Sequence, residues 1–77
     1  MIKVTDISKL EEMGFVKEGF DYVYRCSADG TIKTCFTIYA GSSYLRYAKT
    51  AYVTMEQLHC IYEWTRKNYI EWEEWNG

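Results

Sequence analysis

Hydrophobic and polar positions alternate through the middle of the chain, as they do in strands with one buried face. Segments 21–27 and 31–40 both follow this pattern, and a short Gly-containing segment separates them, which predicts a β-hairpin. A three-residue loop with Gly30 as a left-handed bulge residue places Ser27 opposite Thr31. The even-numbered, mostly apolar residues of both strands then share one face, whereas a two-residue turn would mix both faces. The pattern therefore favours the three-residue loop, with even-numbered side chains inward.

The last third of the chain has a helical period instead. Thr54 and Gln57 match a capping box at a helix start. About 18 residues of helix would span roughly 27 Å, enough to cross a small sheet. The expected inward stripe consists of Leu58, Ile61, Tyr62, Thr65, Tyr69 and Trp72. The sequence therefore predicts a long C-terminal helix packed across one sheet face.

Two shorter elements precede and follow the hairpin. The spacing of apolar residues before Gly14 predicts a short helix, and Gly14 suits its left-handed C′ position. The helix begins either at Thr5 or Asp6, or one turn later, where Ser8 and Glu11 fit a capping box. A short strand follows at 15–17. Segment 44–53 is rich in Tyr and Val but alternates poorly, so it is either a bulged strand or half strand and half loop.

These elements predict an α+β fold in a single domain that spans residues 1–77. A short N-terminal helix would lie beside a three- to four-stranded antiparallel meander, and the long C-terminal helix would cover one face of the sheet. We also expect the side chains of Phe15 and Phe20 to join this core, with those of Tyr22, Tyr24 and Phe36.

Composition narrows the class of protein. Apolar residues make up 48% of the 77 residues and charged residues 26%, which excludes a disordered chain. No apolar run is long enough to span a membrane. The odd count of three cysteines favours a reducing compartment, so we expect a cytoplasmic protein without membrane contact. The net charge of −2 gives no strong attraction to nucleic acid or lipid.

The residues that carry catalysis or bind metals are sparse. His59 is the single histidine, and its neighbour Cys60 points about 100° away on a helix, so the two cannot form a dyad. In the favoured register Cys26 points inward and Cys35 outward, which excludes both a disulfide and a shared zinc site. Phosphate-binding glycine motifs are missing. We therefore expect no enzyme activity, no cofactor and no metal.

Charge is unevenly distributed along the chain. Residues 30–55 contain three bases and no acid, and tyrosines are interleaved with these bases. This composition is typical of platforms on which single-stranded nucleic acid stacks. The residues of this alternative site would be Lys33, Tyr44, Arg46, Tyr47 and Lys49.

The chain has more aromatic residues than a small core can bury. Its 8 Tyr, 3 Trp and 3 Phe exceed the predicted inward positions, and exposed Tyr and Trp beside Arg are typical of protein interfaces. The leading prediction is therefore a binding surface for another protein or for a second copy of this chain. It would occupy the outer sheet face and one edge of the long helix. Its residues would be Tyr39, Tyr44, Arg46, Tyr47, Tyr52, Trp64 and Trp75.

The N-terminal third also carries a resemblance. The run LEEMGFVKEG at 10–19, followed by YVY at 22–24, is similar to small α+β proteins of phages, prophages and mobile elements of Gram-positive bacteria. That resemblance implies a stoichiometric binder of a host or phage protein, such as an inhibitor of a host defence system. It supplies no catalytic residues.

Overall fold

The computed structural model is a six-stranded antiparallel sheet with two short helices, and it describes residues 1–28, 30–48 and 55–73. The strands are β1 (Ile2–Val4), β2 (Val16–Glu18), β3 (Asp21–Ala28), β4 (Thr31–Ile38), β5 (Tyr44–Tyr47) and β6 (Ile70–Trp72). The helices are α1 (Leu10–Met13), which follows a 3-10 turn at Ile7–Lys9, and α2 (Met55–Arg66). The prediction of a three- to four-stranded meander under a long helix is therefore wrong.

The strand order in the sheet is β2-β3-β4-β5-β1-β6. The first four of these strands form a meander, and β1 then inserts between β5 and β6, where Ile2 is paired with both Leu45 and Trp72. Both missed strands, β1 and β6, have only three residues. Such a short segment cannot show an alternating pattern, so their presence depends on partners that are distant in sequence.

The β3–β4 hairpin has the tighter of the two registers considered. Ala28 is paired with Thr31, which leaves a two-residue connection, and Gly30 within it has a φ of 73°. The predicted three-residue loop is therefore wrong. As a consequence Ile32, expected inside, is 73% exposed.

A β-bulge lies further along the same hairpin. Tyr24 is paired with Phe36, but the next residue, Arg25, is paired with Thr34, so Cys35 is an extra residue in β4. The bulge places Cys35 and Phe36 both in the core. Because the bulge compensates for the shorter turn, Tyr24 and Phe36 still share one face of the hairpin, as predicted. An alternating pattern alone does not indicate this bulge.

The same bulge corrects the prediction for the cysteines. Cys26 and Cys35 are both buried, their Cα atoms are 6.1 Å apart, and the structure joins them as a disulfide. That separation lies within the usual range for disulfides. The expectation that the two side chains point to opposite faces is wrong, because it assumed a regular strand.

Helix α2 has 12 residues and ends much earlier than predicted. Asn68 has a φ of 60°, its N–H donates to the Thr65 carbonyl at 3.1 Å, and the Tyr69 N–H donates to the Trp64 carbonyl at 2.8 Å. This pair of bonds is a Schellman motif with Asn at the left-handed position. The chain then turns into β6 instead of continuing as a helix.

The buried face of α2 also differs from the predicted stripe. Gln57, Cys60 and Trp64 face the core, whereas Leu58 and Tyr62 are exposed. Two other members of the stripe do pack partly against the core, Ile61 and Tyr69. Trp72 lies in β6 and is exposed.

The short N-terminal helix ends as predicted. Gly14 has a φ of 103°, and the Phe15 N–H donates to the Leu10 carbonyl at 3.0 Å, which is again a Schellman geometry. Asp6 accepts a hydrogen bond from the Ser8 N–H at 3.0 Å and so caps the preceding 3-10 turn. Leu10 and Met13 thereby reach the same core as α2 and the sheet.

Candidate functional site

A groove of about 310 Å³ opens at the end of the sheet where the β2–β3 hairpin approaches the β4–β5 loop. Its floor includes Leu10 and Ile38, both fully buried. Its walls include Ile7, Phe20 and Tyr39, all of which are exposed. The groove is therefore largely apolar, although Ser42 and Ser43 also line it.

Phe20 reaches this position through a tight turn. Glu18 is paired with Asp21, so Gly19 and Phe20 form a two-residue hairpin turn, and Gly19 has a φ of 62°. A positive φ at the first central residue is characteristic of a type II′ turn. At the tip of the turn the Phe20 side chain is 83% exposed, and the prediction that it joins the core is wrong.

Tyr39 is held by the loop that follows β4. The Ala40 N–H donates to Asp21 Oδ1 at 2.9 Å, and the Ser42 N–H donates to the Tyr39 carbonyl at 2.9 Å. The side chain of Tyr39 is half exposed. The loop thus presents an aromatic ring to solvent on a fixed backbone.

Arg46 lies beside this ring on the outer face of the sheet. It is paired with Thr37 across the β4–β5 ladder, and its Cζ is 5.1 Å from the centre of the Tyr39 ring. This is the geometry of a cation–π interaction. A second depression of about 390 Å³ surrounds the guanidinium, and Tyr39 lines both it and the first groove.

Arg46 differs from the other arginines of the chain in its partners. Arg25 forms an ion pair with Glu18, and Arg66 forms one with Glu63. Among the described residues Arg46 has no carboxylate partner. We call the set of Ile7, Phe20, Tyr39 and Arg46 the Tyr39 surface.

The structure separates the remaining predicted residues of β5. Tyr44 and Arg46 point to the outer face, whereas Tyr47 points to the inner face, where its ring lies 5.4 Å from that of Phe36. The Tyr44 hydroxyl donates to Glu73 Oε2 at 2.9 Å, and this bond to a carboxylate raises the pKa of Tyr44. Burial raises the pKa of Tyr47.

Trp64 is not at a surface. It is only 5% exposed, and its ring packs against Phe15, Tyr24 and Phe36 at centroid distances of 5.5, 5.3 and 5.2 Å. The expectation that it forms an exposed helix edge is wrong. Tyr52 and Trp75 lie outside the described residues, as does Lys49.

The alternative nucleic-acid residues are also divided between faces. Lys33 is paired with Cys26, whose side chain points into the core, so Lys33 is on the inner face near the end of the hairpin. Arg46 and Tyr44 are on the outer face, and Tyr47 is on the inner one. The described members of this set therefore do not form one platform.

A second apolar surface lies on the outward side of α2. Met55, Leu58 and Tyr62 are all exposed and recur at a spacing of three and four residues, which places them on one stripe. The stripe is a ridge on a helix, whereas the Tyr39 surface encloses a groove beside a charged group. Concave sites with a few polar groups bury more of a ligand than ridges do.

His59 and Cys60, the neighbouring candidates for catalysis in the sequence, lie in different environments. His59 is exposed, whereas Cys60 is buried and its thiol lies 3.2 Å from the Tyr24 hydroxyl oxygen. Burial raises the pKa of the Cys60 thiol, which disfavours the reactive thiolate.

Within residues 1–28, 30–48 and 55–73, no group of three acidic, histidine or cysteine side chains could hold a metal ion. No helix in the same ranges is long and apolar enough to cross a bilayer.

Sequence reasoning found two of the four members of the Tyr39 surface. Tyr39 and Arg46 were predicted from surplus aromatics and from the stretch without acids. Ile7 and Phe20 were missed, although Gly19 before an aromatic residue is a signal for a type II′ turn with an exposed tip.

Comparison with known proteins assigns the chain to no family. No family model, no curated protein and no solved structure matches it.

Proposed function

We propose that this protein is a small, non-catalytic binding protein that engages another protein through the Tyr39 surface. One observation carries the proposal: Phe20, 83% exposed, walls an apolar groove together with Ile7 and Tyr39. Holding a large aromatic side chain in water at a turn tip has no benefit for the core. Clustered exposed apolar residues around a concavity mark interaction sites.

The residue types support binding to protein. Tyr and Arg are enriched among the residues that dominate interface energies, and they act best in pockets from which water is excluded. Tyr39 is fixed by the loop hydrogen bonds, and its contact with Arg46 restrains both side chains before a partner arrives. A surface that is already ordered loses less conformational entropy on binding.

The resemblance to phage and prophage proteins supports a narrower proposal about the partner. The partner is a protein of a Gram-positive host, and binding inhibits or redirects it in a one-to-one complex. This role requires a surface and no catalytic group, and the Tyr39 surface satisfies that requirement.

Affinity capture with matched variants tests the proposal. Wild-type protein, Phe20→Ala, Tyr39→Ala and the control Ile32→Ala are immobilised and exposed to nuclease-treated lysate of a Gram-positive host. Ile32 is a suitable control because it is equally apolar and exposed but lies near the other end of β4. We expect one host protein to be retained in stoichiometric amount by the wild type and the control, and to be lost from both Tyr39-surface variants.

Two results would contradict the proposal. Equal retention by all four proteins would place the binding site elsewhere, for example on the α2 stripe. Retention that depends on intact nucleic acid would favour single-stranded nucleic acid as the ligand. Circular dichroism and thermal unfolding of each variant show whether a loss of binding reflects a loss of fold.

A further inference from the structure

We infer that the Tyr39 surface recognises a partner segment carrying two features, one large apolar side chain and, a few residues away, an Asp or Glu carboxylate. This inference rests on the proposed function and adds the chemistry of the partner. It is carried by two adjacent depressions of different character that share Tyr39 as a wall.

The first depression suits an apolar side chain. Its volume of about 310 Å³ is at the lower end of the range for small-molecule pockets, so it accommodates a side chain better than a large cofactor. Leu10 and Ile38 form an apolar floor, and Ile7 and Phe20 form walls that a bound side chain would shield from water. Burial of apolar area on both partners is the driving force at this subsite.

The second depression suits a carboxylate. A guanidinium that is stacked on an aromatic face keeps its N–H edge free for two parallel hydrogen bonds, which match the two oxygens of a carboxylate. Arg25 and Arg66 already form ion pairs with carboxylates within the chain, whereas Arg46 forms none with a described residue. Thr37 lies beside Arg46 and lines the same depression.

The charges near the surface leave this subsite cationic. Asp21 anchors the loop by accepting a hydrogen bond from the Ala40 N–H, so one of its oxygens is occupied in the fold. The second depression is lined by Thr37, Tyr39, Arg46, Tyr47 and Ala48, with no acid among them. An acidic group on the partner is therefore the complementary charge at Arg46.

Peptide selection tests the inference. A displayed library of random dodecapeptides is selected on wild-type protein after depletion on Tyr39→Ala. We expect the enriched peptides to share a Leu, Ile, Phe or Trp and, within a few residues, an Asp or Glu. Enrichment of peptides without an acid, or no enrichment at all, would overturn the inference.

A double-mutant cycle measures the contact itself. The dissociation constant of one selected peptide is measured by fluorescence anisotropy with its acid as Glu and as Gln, against wild-type protein and Arg46→Gln. Each single change should weaken binding about tenfold or more, and both changes together should weaken it little further. Arg25→Gln, in which an arginine already paired with Glu18 is neutralised, should leave the affinity unchanged.

The two proposals fail in different ways. Suppose that the host protein captured above requires Phe20 and Tyr39 but binds Arg46→Gln as tightly as wild type. The Tyr39 surface would then be the binding site, and the inference about a carboxylate would be wrong. If the variants at Phe20, Tyr39 and Arg46 all captured the host protein as well as the wild type does, the proposed function itself would be contradicted.

Discussion

Gly14 satisfies two separate demands of the fold. Its φ of 103° lies in the left-handed region, and a Cβ at this position would come within 2.7 Å of Cε2 of Tyr24. The Tyr24 ring is itself packed against Phe15 and Trp64, so it has little room to move. Backbone strain and steric conflict therefore act together at one residue.

We expect Gly14→Ala to lower the free energy of unfolding by about 2 kcal/mol or more, measured by urea denaturation. Gly30→Ala is the matched control, because Gly30 has a φ of 73° but no heavy atom within 4 Å of the added Cβ. That variant should lose only the strain, about 1 kcal/mol. Equal losses in the two variants would show that the contact with Tyr24 is unimportant.

The pair formed by Cys60 and Tyr24 makes stability depend on alkaline pH. Burial raises the pKa of Cys60, and burial followed by the hydrogen bond to Cys60 raises the pKa of Tyr24. Both groups are protonated more tightly in the folded than in the unfolded protein. Their contribution is therefore complete below the unfolded pKa values and is lost as the pH rises through the folded ones.

Urea unfolding at several pH values should show stability falling above about pH 8.5, where a thiol in the unfolded chain begins to ionise. Cys60→Ala should flatten the curve between about pH 8.5 and the ordinary Tyr pKa near 10. A wild-type stability that stays constant over this range, or a variant with an unchanged slope, would contradict this account.

Single residues differ in how far their environment could be predicted. Gly14 was correctly predicted because a helix C-cap is defined by its own short segment. The burial of Trp64 could not be predicted, because it depends on rings that Phe15, Tyr24 and Phe36 bring from three other parts of the chain. The contact between Tyr39 and Arg46 has the same origin, although the residue types alone marked both as candidates.

Helix α2 shows the same distinction at the scale of an element. Its start near residue 55 followed from local sequence, but it has two apolar stripes, and sequence alone does not say which one the sheet covers. The sheet covers the stripe that contains Cys60 and Trp64, while Leu58 and Tyr62 remain outside. The earlier end of the helix follows from Asn68, whose positive φ ends the helix within the predicted 18 residues.

Because the sheet covers the stripe that contains Trp64 and not the one that contains Leu58, substitutions at these two residues should differ in their effect on stability. Trp64→Phe should lower the free energy of unfolding by about 1–3 kcal/mol, because it leaves a cavity among four packed rings. Leu58→Ala should change it by no more than about 0.5 kcal/mol. Thermal or urea unfolding checks both, and a larger loss for Leu58→Ala would mean that the helix faces the other way.

Strand β4 is the second element for which the sequence pattern gives a wrong prediction, because the strand contains a bulge. Alternation assumes one residue opposite each residue, and Cys35 is inserted without a partner. Its insertion puts residues 31–34, between Gly30 and the bulge, on the faces opposite to those predicted, and it brings Cys35 to Cys26. A prediction based on period two therefore assigns every residue on one side of the bulge to the wrong face.

The Cys26–Cys35 disulfide should stabilise this hairpin measurably. A disulfide that closes so short a loop lowers the entropy of the unfolded chain and stabilises the folded protein by about 2–3 kcal/mol. A reductant should therefore lower the free energy of unfolding by that amount. Cys26→Ala/Cys35→Ala should be insensitive to the reductant. Unfolded, unreduced wild-type protein should show one reactive thiol, that of Cys60, and three would contradict the pairing.

At the scale of the molecule, β2 and β6 are the edge strands of the sheet, and no strand among residues 1–28, 30–48 and 55–73 pairs with their outer sides. On either side of β6, the Glu73 N–H donates to the Met1 carbonyl, and the Thr5 N–H donates to the Tyr69 carbonyl. Because the direction of hydrogen bonding alternates along an antiparallel strand, Glu71 faces β1, whereas Ile70 and Trp72 direct their backbone groups to the open edge.

Amide hydrogen exchange should follow this alternation. The Glu71 amide should exchange slowly, and the Trp72 amide should exchange much faster, although the two are neighbours in one strand. Amides in β3, β4 and β1, which have strands on both sides, should be slower than those of β2. Strong protection of the Trp72 amide would indicate that this edge is covered in solution.

The position of β1 between β5 and β6 has a consequence for synthesis of the chain. Ile2 and Val4 are among the most deeply buried residues, yet their neighbours in β5 and β6 are translated much later. A nascent chain on the ribosome can pair β1 with β5 first, but the other side of β1 stays unpaired until β6 has emerged from the exit tunnel. A chain that stalls before Ile70 therefore leaves one side of β1 without its partner strand, and unpaired strand edges are sites at which other chains can pair.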